Sequence, residues 1–280
     1  MAGSWRWSAA ALLLTSALGA SVAAVQTSVA GSARPRAALP SHRLAAPAAP
    51  APPSAERPAG QMLVVLDPGH GGSNTGAASV VAGVYEKHLT MLLARAVAAR
   101  LAERGIEVRL TRELDEYVSL RERVERANRL RADLFISLHC NASDAKSQRG
   151  FETWVLTPRA VDIDARALRS EESAAHAAAD PATARMLVDV ERGLSQTGAA
   201  DLAAAIQAEL AGRRGRDHDR GVRQSSLDVL FGANMPAALV EVGFIDHPIE
   251  GHELLEPEVQ AAIADAVADG IASQLRRPQR

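Results

Sequence analysis

Short apolar runs alternate with stretches whose apolar residues recur at helical spacing, and this alternation permits few folds. The runs lie at residues 62–66, 106–110, 134–138, 151–156 and 237–242. Between the first two, Glu86 opens a stripe of Leu89, Leu92, Leu93, Ala96, Val97 and Leu101, with Gly105 where a helix should end. Ser119 and Glu122 have the spacing of a capping box ahead of Leu120, Val124 and Ala127. Leu202, Ile206 and Leu210 mark a further helix, and Pro257 starts a last one through Val259, Ile263, Val267 and Ile271. Strands separated by helices must run largely parallel, so the expected fold is α/β: one domain with a mostly parallel, mixed central sheet flanked by helices.

The first run breaks into Asp67-Pro68-Gly69-His70-Gly71-Gly72. These glycines lack the GxGxxG spacing of a dinucleotide site, and no Gly-Lys-Ser/Thr follows to cradle phosphate. What the break leaves is a histidine just past the carboxyl end of a strand, where open α/β sheets bind ligands. Two more runs end the same way, at His139 and at Glu241, and Glu86 stands at the start of the first helix. Such groups are costly to bury unpaired. Two imidazoles and two carboxylates are also the donors of a hydrolytic zinc site, in which three ligands hold the ion and a further carboxylate moves a proton. Each residue alone has a plainer reading: Glu86 as a first-turn charge, His139 as a hydrogen-bonded strand end, Glu241 as a partner for an arginine.

Around this region the chain is simpler. Residues 9–24 are apolar, follow Arg6 and end in small residues suited to cleavage, which is the pattern of a signal peptide at 1–24. Residues 25–60 hold seven of the 14 prolines amid alanine and serine, a stiff linker ahead of a domain at 61–276. Beyond residue 60 there are 26 basic and 32 acidic residues, a balance that argues against nucleic acid as a partner. Cys140, the single cysteine, excludes an internal disulfide and is expected to be a small buried residue facing away from the His139 side chain. His42, His88, His176, His218, His247 and His252 lack the strand-end setting and are expected at the surface, and residues 213–223 as a charged, solvated loop.

Four segments, LDPGHGG (66–72), EKHLTMLLA (86–94), DLFISLHCNAS (133–143) and ALVEVGFIDHP (238–248), closely resemble the zinc-dependent N-acetylmuramoyl-L-alanine amidases of bacterial cell walls. The stretch at 111–135, with Arg112, Arg123 and Asn128, resembles the same family, and the likeness runs from about residue 62 to 275. The resemblance implies a phosphorylase/hydrolase-like fold, one zinc ion held by His70, Glu86 and His139, and Glu241 as the catalytic carboxylate. Its substrate would be peptidoglycan, cut between the lactyl group of N-acetylmuramic acid and the first L-alanine of the stem peptide. Asp67 and Asn141 flank the histidines and are candidates for orienting them. Residues 158–197 read as an insertion relative to simpler members. In members acting at cell division an inserted helix covers the zinc and offers it a glutamate until an activator protein binds. Glu191, on a face with Leu187 and Leu194, is the candidate plug; Glu171 and Glu172 are rivals, and a solvated helix is the plain alternative. The likeness to this family implies export to a periplasm of the Gram-negative type, with no stable membrane insertion after signal cleavage. Water activation alone does not identify the amide, so a stem-peptide zinc peptidase and a wall-binding protein with an occluded site stand beside the amidase. A binder, however, needs no base such as Glu241.

Overall fold

The computed structural model of the protein describes residues 60–157 and 181–276, the side chains of 181–194 excepted. The expected signal peptide, almost all of the linker, and Glu171 and Glu172 lie outside the described residues. In chain order the main elements are β1 (Leu63–Pro68), α1 (Glu86–Ala102), β2 (Glu107–Leu110), α2 (Leu120–Arg129), β3 (Leu134–Asn141) and β4 (Phe151–Leu156). Then come α3 (Pro181–Arg214), β5 (Asp219–Ser225), β6 (Ala237–Phe244), the short α4 (Glu250–Glu253) and α5 (Pro257–Leu275). The strands form one sheet in the order β2-β1-β3-β6-β4-β5. All neighbours are parallel except β4 and β6, so the sheet is mixed and mostly parallel, as the alternation requires.

Three elements differ from the sequence reading. β1 continues through Asp67 and Pro68, which pair with Ser137 and Leu138, because a proline at the last strand position forfeits only one donor. The helix expected around Leu202–Leu210 is the second half of a 34-residue helix that begins at Pro181, so the end of the supposed insertion is continuous with it. Residues 219–223, expected in a charged loop, belong to the edge strand β5 at Asp219–Ser225. Its sequence DRGVRQS shows no apolar alternation because a strand at the rim buries little side-chain area; it is held by its ladder with β4.

Smaller departures follow from exposure. Leu92 and Leu120 sit in the predicted stripes yet are exposed, whereas Leu89, Leu93, Val97, Leu101, Val124 and Ala127 are buried. Ser119 caps α2 by accepting from the Glu122 amide, but the Glu122 carboxylate turns to Arg126 and Arg129 instead of closing the box.

The two sheet faces explain where the chemistry collects. Val64, Leu66, Ile136, Leu138, Ala238, Val240 and their neighbours pack under α1, α3 and α5 as the larger core. On the opposite face Leu63, Val65, Phe135, Ala237 and Leu239 pack with Val124 and Ala127 of α2. Because side chains alternate, the same face continues toward the carboxyl ends as Asp67, Ser137, His139 and Glu241. Its apolar rows give way to polar ones where the strands end.

Candidate metal centre and active site

Register places His139 of β3 directly opposite Glu241 of β6. His70 follows β1 in a left-handed conformation, φ 61°, rare outside glycine and typical of residues held for a purpose. The carbonyls around it are gripped by two buried arginines. Arg112 donates to Pro68 O and Gly69 O, and Arg123 to Pro68 O and to His70 O at 2.7 Å. Asp67, fully buried, accepts from Arg123, Thr111 and Ser137. It therefore acts on His70 through Arg123 and touches neither imidazole among its described bonds.

Glu86 is the hub. Its Oε2 lies 3.0 Å from His70 Nε2 and its Oε1 3.0 Å from His139 Nδ1, and the backbone amides of Ala77 and Cys140 each donate to it at 2.9 Å. Burial alone would raise its pKa. Hydrogen bonds and charge from His139 and His70 outweigh this and hold the carboxyl well below the usual carboxylate range. Burial depresses the His139 pKa, but Glu86 reverses this and leaves it raised. One donor atom from each of His70, Glu86 and His139 lies within 4.8 Å of the others.

The cradle around these donors requires glycine at two points. A Cβ on Gly69 would stand 2.4 Å from His139 Cε1, and one on Gly76 would stand 2.6 Å from Glu86 Oε2. Two imidazoles and a carboxylate, closely spaced and walled in this way, fit a divalent cation such as zinc.

Asn74 was not legible in the sequence. Its Oδ1 accepts from the Gly76 amide, a group that can only donate, which fixes the orientation of the side-chain amide. The same oxygen is 2.9 Å from His70 Nδ1, so that nitrogen carries a proton and Nε2, turned toward Glu86, is the ring atom left to serve as a metal donor.

Glu241 is half-buried beside the three donors. Among the described residues its Oε2 is buried and has no hydrogen-bond partner. Burial pushes its pKa up to about 7; His139 opposes the rise, and the charges of Glu86 and Glu152 add to it. A carboxylate near neutrality is suited to exchanging protons with water. Asn141 donates to Glu152 Oε1 at 2.9 Å and accepts from the Ala142 amide, so its described bonds go to neither imidazole. Cys140 is buried in the larger core, on the face away from His139, and burial raises its thiol pKa well above the ordinary value. Glu191 falls within α3, but its side chain lies outside the described residues. Of the other histidines described, His88 and His252 are exposed and His218 and His247 half-buried, all away from this cluster.

Residues 64–273 match the family described as N-acetylmuramoyl-L-alanine amidase. The chain belongs to this family. N-acetylmuramoyl-L-alanine amidase AmiA of Escherichia coli strain K12 is 32% identical over 230 residues, which cover 79% of this chain and 78% of the relative. Among solved structures, amidase AmiC2 of Nostoc punctiforme is 29% identical with a TM-score of 0.59, covering 78% of this chain and 99% of that one. The amidase from Clostridium difficile 630 is 28% identical with a TM-score of 0.59, covering 76% and 96%. The protein is thus a hydrolase of the amide between N-acetylmuramic acid and L-alanine in peptidoglycan, acting in cell-wall remodelling. Family membership favours this over the stem-peptide peptidase and the wall-binding protein.

Proposed function

We propose that this amidase works with one zinc ion held by His70, Glu86 and His139, with Glu241 as the proton carrier. The observation that carries the reading is the convergence of three donor atoms within 4.8 Å beside an otherwise unpartnered carboxylate oxygen. When bound there, zinc supplies the Lewis acidity that polarises the amide carbonyl and acidifies water. Glu241 accepts a proton from the attacking water as its oxygen bonds to the carbonyl carbon. The same carboxyl returns the proton to the L-alanine nitrogen as the carbon–nitrogen bond breaks, leaving a muramic-acid carboxylate and a free stem peptide. A group poised near pH 7 suits both halves of this transfer. Asn74 keeps the His70 lone pair aimed inward while this happens.

Export across the inner membrane to the periplasm is part of the proposal, supported by the apolar run of residues 9–24 and the proline-rich stretch after it. No helix among the described residues is long and apolar enough to cross a membrane. An autoinhibitory role for Glu191, relieved by an activator protein, is likewise proposed from the placement of the insertion.

Zinc titration tests the ligand set. His70→Ala, Glu86→Ala and His139→Ala are each expected to lower zinc affinity by at least about 100-fold while Glu241→Gln leaves it within a few-fold. Retention of tight zinc binding by a folded His139→Ala variant would contradict the assignment.

A further inference from the structure

The row that holds His139 and Glu241 does not stop at the catalytic carboxylate. Glu241 is paired with Glu152 of β4, and β5 lies beyond. Arg220 and Arg223 are three residues apart on β5, so a regular strand would turn them to opposite faces. Gly221 prevents this: its φ of 81° and the register shift between Phe151 and Thr153 bring both guanidiniums to the same carboxylate. Their Nε atoms stand 2.9 and 2.8 Å from Glu152 Oε2. The other oxygen of Glu152 is taken by Asn141.

One arginine would neutralise Glu152; two leave a net positive charge at the edge of the active site. Both are pre-organised by stacking, Arg220 5.0 Å above the Phe244 ring and Arg223 5.8 Å above that of Trp154. Arg220 spends a terminal nitrogen on Gln148. Arg223 is 43% exposed, and its only polar contact among the described residues is the one to Glu152. A guanidinium held at Nε by an ion pair, with no described bond at its terminal nitrogens, is a fork for a carboxylate.

We propose that Arg223, supported by Arg220, binds a carboxylate of the stem peptide close to the scissile amide. The distance fits: Arg223 Nε is 2.8 Å from Glu152, which stands one strand spacing of about 4.8 Å from Glu241, so the fork lies on the order of 5–10 Å from Glu241. An extended peptide advances about 3.3 Å per residue, which brings a carboxylate on the second stem residue within that reach. The inference rests on Glu241 marking the reacting amide.

The test compares two muramoyl dipeptides, one with a free α-carboxylate on the second residue and one with that group amidated. The wild-type enzyme is expected to prefer the carboxylate by about 10-fold or more in kcat/KM, mostly through KM. Arg223→Gln should bring the ratio to about 1, and Arg223→Lys should restore part of it. Arg220 remains paired with Glu152 in both variants, so no buried charge is orphaned. A wild-type enzyme without preference, or an Arg223→Gln enzyme that keeps it, would overturn the proposal. Glu241→Gln is run alongside: turnover by that variant would refute the role of Glu241, whereas the substrate ratio of the wild-type enzyme speaks to Arg223 alone.

Discussion

At the scale of single residues, the site depends on which atom each donor presents. Asn74 holds the His70 tautomer through one oxygen shared between Nδ1 and the Gly76 amide. Asn74→Ala is therefore expected to weaken zinc binding by about 10–100-fold with little change in fold, measured by competition with a chelator; unchanged affinity would remove Asn74 from the site. Glu241 gives a second prediction. Its folded pKa of about 7 lies above the ordinary carboxylate value, so the metal-free fold loses stability as pH rises toward and through 7. The raised pKa of His139 acts in the same direction, while the lowered Glu86 affects stability only below the ordinary carboxylate range. In chelator, Glu241→Gln is expected to stabilise the protein by about 1–3 kcal/mol at pH 8 and far less at pH 5, read as thermal midpoints. An equal effect at both pH values would show that the fold does not disfavour the charged form of Glu241.

At the scale of elements, the strands set the positions and the connections add the refinements. β3 and β6 carry His139 and Glu241 in register, and α1 brings Glu86 up beneath them with its first turn. The long α3 changes how the insertion should be probed. Leu202, Ile206 and Leu210 of this helix are buried in the main core, so deleting residues 158–197 would cut into an element the fold needs. Glu191→Ala is the cleaner change. If Glu191 occludes the metal, the variant releases stem peptides from purified sacculi at least about 10-fold faster than the unmodified protein without activator. An equal rate would assign Glu191 to a solvated face.

At the scale of the whole molecule, most of the architecture and the four central residues were readable because each leaves a local signature. Buried strands are apolar, packed helices are striped, and His70, His139 and Glu241 stand where apolar runs end. What escaped notice leaves no such trace. β5 is polar because it is an edge, α3 is alanine-rich and shows its continuity only by packing, and Asn74 resembles any loop asparagine until the Gly76 turn folds it onto His70. The arginine fork looked like a charged loop, since only the bulge at Gly221 brings its members together. The described domain is a mixed sheet whose polar edge gathers the proposed catalytic residues, and the role of Glu241 is the claim on which the rest depends. Mass spectrometry of the soluble products of purified sacculi, digested by wild type and Glu241→Gln at equal zinc content, tests it most directly. Intact stem peptides with a free L-alanine amine are expected from the wild type, and at least a 1,000-fold lower rate from the variant, on the order of an essential proton carrier. Release by the variant at a rate near that of the wild type would contradict the role of Glu241.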